Sequence, residues 1–194
     1  NDTDWGEIMV QFVPYIWLTM FLSILAVSLI VYAWKNISVL GAPYFLHTLI
    51  LVEIWIIAQG MEMSAVGLGT KLLWANIQYI PIMLIPVTYL NLSLRFTKRV
   101  TLLRQRWLLP VLLAVPLAVN VLVWTNDFHS LIRLHVYLVT SGSFSTIHKE
   151  YGPAFWAAAA YNYALVAVNF IGLVRAQRGK APIYRKQIGF LIAA

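Results

Sequence analysis

Residues 72–94 read LLWANIQYIPIMLIPVTYLNLSL, and this stretch decides the fold. It holds 23 residues without one charged side chain, and a helix needs roughly 20 predominantly apolar residues to cross a bilayer. Two prolines interrupt it, and Asn76 and Gln78, two residues apart, would lie on nearly opposite faces of a helix. Polar groups on both faces predict a central helix that is surrounded by protein rather than by lipid.

The whole chain has the composition of a membrane protein. Of its residues 61% are hydrophobic and 11% are charged, and the mean hydropathy is +0.76, which excludes a soluble globular fold. Short connections make neighbouring spans antiparallel, so we predict an all-α integral membrane bundle that forms one domain over residues 1–194. Complete apolar spans are predicted at about residues 8–31, 43–61, 72–94, 107–124 and 153–174, with a sixth that begins at 187 and is cut off at 194.

The basic residues are distributed unevenly between the two sides of this bundle. Of the 14 lysines and arginines, eleven lie at Lys35, in residues 95–106 and in residues 175–186, which are alternate connections on one side of the membrane. Basic residues mark the cytoplasmic side, so the N-terminus is predicted to lie outside. The net charge of +7 is thus explained by topology, and no nucleic-acid partner is expected.

The connection formed by residues 125–152 is predicted to lie outside. Within it, residues 134–139 and 144–149 are β-prone and flank a Gly/Ser-containing turn at residues 140–143, a pattern that predicts a β-hairpin. The hairpin would cap the outer end of the bundle. A disordered loop is the alternative interpretation, because alternation over so short a run is a weak pattern.

Glu53 is the acidic residue that falls inside a predicted span. A charge near the middle of a membrane costs roughly 2.5 to 3.5 kcal/mol on insertion scales and points to function by default. Helical periodicity places it on one face with Gly60 and Ser64, and this small, partly polar face predicts that the carboxyl turns into the bundle. Two interpretations stay open. One is ligand recognition or a protonation switch, and the other is a hydrogen-bonded glutamate that ties two helices together.

Aromatic stripes on the third and fifth spans are further candidate ligand contacts. On the third span, Trp74, Gln78 and Tyr89 follow one helical face. On the fifth span, Trp156 and Tyr163 are seven residues apart and share a face. Anchoring at the membrane interface is the alternative for the tryptophans and tyrosines.

Two other features of these spans are predicted to be structural. Ala158, Asn162 and Asn169 line a separate face of the fifth span, and small residues with an amide are typical of close helix packing in lipid. The two prolines of the third span leave the carbonyls of Ile77 and Ile82 without their helical donors. Such kinks often open a pocket or a hinge.

The sequence has no pattern typical of catalysis or of a resident cofactor. Its four histidines include no HxxxH or HxH pair. It also has no nucleophile elbow, phosphate-binding loop or glycine-rich dinucleotide turn. We therefore expect no enzyme activity in this chain, no metal site and no cofactor. Because cysteine is absent, no disulfide framework is expected either.

Several short strings, in matching order and spacing, resemble the N-terminal seven-transmembrane region of bacterial histidine kinases, a module also found in front of diguanylate cyclase and PAS domains. Trp55 and Glu62 are similar to a Trp and Glu pairing near the outer end of the second helix in that family. The resembling strings are WANIQYI at 74–80, RFTKR at 95–99, TNDFHSLI at 125–132, YGPAFW at 151–156, YNYAL at 161–165 and YRKQ at 184–187.

The resemblance implies a seven-helix bundle in the bacterial cytoplasmic membrane, with its last helix continuing into a cytoplasmic effector. This chain would supply the first five helices and the start of the sixth. A histidine kinase or diguanylate cyclase would then follow in the full-length protein. Because sensor kinases act as dimers, the resemblance also implies a homodimer.

Together these features predict the membrane sensor domain of a bacterial receptor. A small, largely apolar ligand, or the state of the membrane, would act near Glu53, Gln78 and the aromatic stripes, beneath the hairpin. The proline-containing third helix is expected to move. The alternative is a transporter or channel component in which Glu53 couples to protons and Gln78 and Asn76 line a path. A retinal photoreceptor is disfavoured, because none of the five complete spans contains a lysine.

Overall fold

A computed structural model describes residues 11, 13, 15–39, 41–96, 107–140 and 144–178. These residues form six helices and two strands. The elements are α1 (Ile16–Lys35), α2 (Ala42–Ser64), α3 (Leu68–Phe96), α4 (Leu108–Trp124), the single turn α5 (Asn126–His129), β1 (Arg133–Val139), β2 (Thr146–Tyr151) and α6 (Pro153–Arg178).

Five of these helices correspond in order to the five complete spans predicted from the sequence. Helices α1, α2, α3 and α6 are long and apolar enough to cross a membrane. Helix α4 has 17 residues, or about 26 Å at 1.5 Å per residue, and lies at the lower limit for a crossing. The prediction of an all-α membrane domain is confirmed. The predicted sixth span at 187–194 and the basic segment 97–106 lie outside the described residues.

Helix α3 is the centre of the bundle. It packs against α2 on one side and against α4 and α6 on the other, while α1 packs against α2. In an apolar stretch of 18 residues taken from each helix, the buried share is 44% in α3, against 11% in α1, 17% in α2 and 22% in α6. The central position predicted from the polar groups on both of its faces is therefore correct.

The main apolar cluster joins α3, α4 and α6 to the chain that enters the hairpin. Its buried members are Met83, Val119, Val123, Ile132 and Ala158. Met83 and Ile132 are among the most completely buried side chains of the described residues. The hairpin is thus anchored in the same core as the helices, because Ile132 immediately precedes β1.

Asparagines of α6 bind the backbone of α3 where proline interrupts it. Pro86 has no N–H for the carbonyl of Ile82, and Asn162 Nδ2 donates to that carbonyl oxygen at 3.3 Å. Asn169 Nδ2 donates to the carbonyl of Pro86 at 3.3 Å, and its Oδ1 accepts from Ser93 Oγ at 2.8 Å. The asparagine stripe of α6 therefore packs against α3, as the structural interpretation predicts.

The contribution of the hydrogen bond between Asn162 and the Ile82 carbonyl to the free energy of unfolding can be measured. Replacing Asn162 by alanine is expected to lower the free energy of unfolding by about 1 kcal/mol, a usual size for an interhelical hydrogen bond in a membrane protein. In a Pro86→Ala background, residue 86 regains an N–H that can donate to the Ile82 carbonyl, so Asn162→Ala should cost less. A double-mutant cycle of unfolding free energies, measured by denaturant titration in detergent, checks this.

A second asparagine provides the control for that cycle. Asn120 Nδ2 donates to the carbonyl of Pro116 within its own helix α4, at 2.9 Å. The loss in the free energy of unfolding caused by Asn120→Ala should therefore be the same with and without Pro86→Ala. If the unfolding free energies of Asn162→Ala and Pro86→Ala were also additive, the hydrogen bond from Asn162 to the Ile82 carbonyl would be contradicted.

Strands β1 and β2 form the predicted hairpin. They pair antiparallel with Val136 opposite Lys149 and Tyr137 opposite His148, whose ring centroids lie 4.8 Å apart. The alternative of a disordered loop is therefore wrong for residues 133–139 and 146–151. The predicted turn residues 141–143 lie outside the described part of the chain.

The hairpin lies at the end of the bundle where α2 ends and α3 begins, which we call the hairpin end. The start of α1 lies there too, because the backbone N–H of Gln11 donates to the carbonyl of Ser64, the last residue of α2, at 2.7 Å. Lys35, in the last turn of α1, therefore belongs to the opposite end of the bundle.

Candidate functional site

Glu62, in the last turn of α2, joins three elements at the hairpin end. Its Oε2 accepts from Gln78 Nε2 of α3 at 2.5 Å, and its Oε1 accepts from Lys149 Nζ of β2 at 2.9 Å. The Glu62 and Lys149 side chains are only 14% and 20% exposed. A single carboxylate thus connects α2, α3 and the hairpin through charge-assisted bonds in a poorly hydrated place.

Residues outside α2 donate hydrogen bonds to the last carbonyls of this helix. The final carbonyls of a helix have no donor within it. Lys71 Nζ donates to the carbonyls of Glu62 at 2.8 Å and Met63 at 3.3 Å. Gln11 donates to Met63 through its side chain at 2.9 Å and to Ser64 through its backbone at 2.7 Å. The end of α2 is therefore capped by the segment before α1 and by α3.

The position of Lys71 contradicts the expectation that no complete span contains a lysine. Helix α3 begins at Leu68, so Lys71 lies inside the helix, and its side chain is only 2% exposed. A complete span does therefore bury a lysine. The hydropathy pattern placed the start of the span at residue 72 and missed it.

Gln11 also holds the hairpin against α2. Its Nε2 donates to the carbonyl of Ser145 at 3.1 Å, and its Oε1 accepts from the Ser145 backbone N–H at 2.9 Å. Ser145, directly before β2, is buried. This reciprocal pair fixes the start of β2 over the end of α2.

Arg133, the first residue of β1, attaches the hairpin to the other face of α3. It is only 3% exposed, its Nη2 donates to Asn76 Oδ1, and its guanidinium lies over the Tyr79 ring at 5.7 Å from the centroid. Burial lowers the pKa of Arg133 from its ordinary value, and the negative charges of Glu62 and Asp127 act against that shift. An arginine stays protonated near neutral pH, so a cation is held here.

The side chain of Asn126 shapes the chain that leads into β1. Its Oδ1 accepts from the backbone N–H groups of Ile132 and Arg133, both at 3.0 Å, and its Nδ2 donates to the Arg133 carbonyl at 3.0 Å. Asn126 belongs to the string TNDFHSLI, and this geometry gives that string a physical role.

A cavity of about 410 Å³ lies between β2 and the adjoining ends of α2 and α3. Its charged lining consists of Glu62, Lys71 and Lys149. The size is within the range of small-molecule sites, roughly 300 to 1,000 Å³. The remaining lining residues are Gln59, Met63, Phe144, Ser145, Thr146, Ile147, His148 and Tyr151. This cavity is the candidate binding site.

Glu53 lies elsewhere, on the side of α2 that faces α1. Ser23 Oγ of α1 donates to Glu53 Oε1 at 2.5 Å, and Oε2 is buried without a hydrogen-bond partner among the described residues. Nine positions separate Glu53 from Glu62, which is about 13 Å along a helix. The bond to Ser23 supports the interpretation of Glu53 as a tie between two helices.

The other predicted site residues are distributed over the bundle. The structure brings together Glu62 and Gln78, whereas Trp55, Trp156 and Tyr163 are 41%, 64% and 75% exposed. Trp74 and Tyr89 are partly buried within α3. Sequence reasoning missed Gln11, Lys71, Arg133, Ser145 and Lys149 as site residues. The signal for three of them was present, because Lys71, Arg133 and Lys149 are the three basic residues placed on the side of the membrane that carries the hairpin.

Apolar helices that expose long hydrophobic side chains, with a charged cavity under a hairpin at one end, define a multi-pass membrane domain with a candidate binding site. A family model described as the N-terminal 7TM region of histidine kinase matches residues 18–194. The chain belongs to this family of membrane sensor domains, and the resemblance seen in the sequence is confirmed. Comparisons with curated proteins and with solved structures give no significant match.

Proposed function

We propose that this domain detects a small molecule in the cavity at the hairpin end and passes the signal, by a shift of helices, to a cytoplasmic effector. Membership of the histidine kinase sensor family supports the effector part of the proposal. The observation that carries the sensing part is the position of Glu62. It lines the cavity and is hydrogen-bonded both to the hairpin and to the central helix.

The proposed orientation places the N-terminus and the hairpin outside. Lys35 and Arg175 lie at the end of the bundle opposite the hairpin, in the last turn of α1 and near the end of α6. The segments 95–106 and 175–186 add further basic residues after α3 and α6. Basic residues favour the cytoplasmic side, which supports this orientation.

Signalling requires that the ligand favours one arrangement of the helices over another, because equal affinity for both would change nothing. A ligand that meets Lys149 and Glu62 alters the bonds that hold β2 to α2 and α2 to α3. Helix α3, which carries Pro81 and Pro86, is the element that would move. The effector would respond in a homodimer, as in other sensor kinases.

The predicted ligand is small and carries an apolar part, which is supported by Met63, Phe144 and Ile147 in the cavity wall. The transporter alternative gains no support. Gln78 faces Glu62 of α2, whereas Asn76 binds Arg133 on the other face of α3, so the two amides do not line one path.

Replacing Glu62 by glutamine tests the proposal in the full-length protein that carries this domain. The variant removes the charge shared with Lys149, and losing a charge-assisted bond costs about 1.5 to 3 kcal/mol. If that bond is present in one signalling state, the ratio of states should shift about tenfold or more. Autophosphorylation of the protein in lipid nanodiscs measures the shift.

Glu150→Gln is the matched control for this test. Glu150 belongs to β2, the strand that carries Lys149, but it is 53% exposed and pairs with the exposed His135, so its replacement should leave basal autophosphorylation unchanged. A well-folded Glu62→Gln protein with wild-type basal activity and wild-type ligand response would overturn the proposed role of this junction.

A further inference from the structure

We propose that the cavity at the hairpin end binds a small organic carboxylate with an apolar body. This inference rests on the proposed sensing function and names the chemical class of the ligand. Its basis is the charge, the free hydrogen-bond donors and the apolar portion of the cavity wall.

The charged groups of the cavity wall do not balance. Among the described residues, Lys71 and Lys149 are set against Glu62, which leaves their part of the wall a formal charge of about +1 with histidine neutral, from the usual protonation states at pH 7. The Lys71 side chain is only 2% exposed. A buried charge is costly unless an opposite charge or hydrogen bonds compensate it. One monovalent anion would complete the balance.

The two lysines retain hydrogen-bond donors for such an anion. An ammonium group has three N–H donors and no acceptor. Lys71 Nζ donates to two carbonyls and Lys149 Nζ donates to Glu62 Oε1, and no other acceptor for either group is found among the described residues. Within the described part of the chain, one donor on Lys71 and two on Lys149 are therefore available to a ligand.

The rest of the wall distinguishes a carboxylate from other anions and from cations. Met63, Phe144 and Ile147 provide apolar surface beside the lysines, which inorganic phosphate would leave without contact. A dianion would be repelled by the nearby Glu62 carboxylate about twice as strongly as a monocarboxylate, because the Coulomb energy is proportional to the charge. A cation would meet two ammonium groups. The cavity of about 410 Å³ accommodates an aromatic or aliphatic body of several carbons.

Phenylacetate is a suitable probe, and phenylacetamide is its neutral isostere. With the full-length protein in nanodiscs, and with empty nanodiscs subtracted, we expect saturable binding of phenylacetate by isothermal titration calorimetry. Phenylacetamide should bind at least about tenfold more weakly, a difference of about 1.4 kcal/mol. Phenethylammonium and inorganic phosphate should show no competition with phenylacetate.

Substitutions place the binding in the cavity. Lys71→Gln keeps N–H donors for the α2 carbonyls but removes the charge, and should weaken phenylacetate binding about tenfold or more. Lys35→Gln, at the opposite end of the bundle, should leave the affinity unchanged. If Lys71→Gln does not fold, the comparison of phenylacetate with phenylacetamide on the unmodified protein decides the question.

Several outcomes would overturn the inference. One is equal affinity for phenylacetate and phenylacetamide, and another is competition by phosphate at equal concentration. A third is no saturable binding up to about 10 mM, where the binding free energy would be only about −2.7 kcal/mol. The fourth is unchanged affinity in a folded Lys71→Gln protein. Phenylacetate binding without any change in autophosphorylation would contradict the proposed function alone. A response of autophosphorylation to Glu62→Gln without phenylacetate binding would contradict the ligand class alone.

Discussion

Replacing Gly152 by alanine is expected to prevent the hairpin end from assembling. A Cβ at this position would lie 2.2 Å from the carbonyl oxygen of Leu131, 2.7 Å from its carbonyl carbon and 3.0 Å from the carbonyl oxygen of Ser130. All three are backbone atoms, so no side chain can turn away to make room. The Gly152 N–H also donates to the Ile132 carbonyl at 2.9 Å, so relieving the clash would break that bond.

The cost should be at least about 3 kcal/mol, the upper range for forcing extra volume into a packed site. Thermal unfolding of the full-length protein in nanodiscs, followed by circular dichroism, measures it. Gly172→Ala is the matched control, because a Cβ there meets nothing within 4 Å and alanine is favoured over glycine inside a helix. Equal melting temperatures for the two variants would show that the close approach at Gly152 is wrong.

Replacing Asn126 by alanine is expected to have the second-largest effect on stability. The change leaves the N–H groups of Ile132 and Arg133 and the carbonyl of Arg133 without the partners they have now. Both residues are buried, at 0% and 3% exposure, so water does not readily replace the lost bonds. A buried polar group without a partner costs about 1 to 3 kcal/mol, and we expect a total loss of about 2 to 4 kcal/mol.

Asn126→Asp separates the contributions of the amide. The carboxylate can still accept from the two backbone N–H groups, but it can no longer donate to the Arg133 carbonyl. Its stability should therefore fall between those of the wild type and Asn126→Ala in the same unfolding assay. An Asn126→Ala protein as stable as the wild type would rule out this role of the side chain.

The helices and their arrangement could be predicted from the sequence because hydropathy and helical periodicity are local properties. Asn76 and Gln78 lie two residues apart, and this spacing alone predicted that α3 has protein on both sides. The bonds from Asn76 to Arg133 and from Gln78 to Glu62 confirm that arrangement. The start of α1 at Ile16 shows the limit of hydropathy, since apolar residues before that point extended the predicted span to residue 8.

The site could be predicted only in part because its contacts join distant parts of the chain. Glu62 and Gln78 were chosen as separate candidates, but nothing in the sequence pairs Lys149 with Glu62 across 87 positions or Gln11 with Ser145 across 134 positions. Lys71 was missed for a different reason. A hydropathy pattern ends a predicted span at a charged residue, so the predicted span began after Lys71. In the structure this lysine is buried because carbonyls at the end of α2 accept its hydrogen bonds.

Because Lys71 caps the end of α2, the length of the short connection between α2 and α3 is fixed. Ser64 ends one helix and Leu68 begins the next, and the lysine must reach back nine positions to the Glu62 carbonyl. An insertion there would carry the ammonium away from its acceptors, whereas the turn between β1 and β2 has no such constraint from this contact. Natural relatives should therefore differ in length at the tip of the hairpin and agree, residue for residue, in the spacing from Glu62 to Lys71.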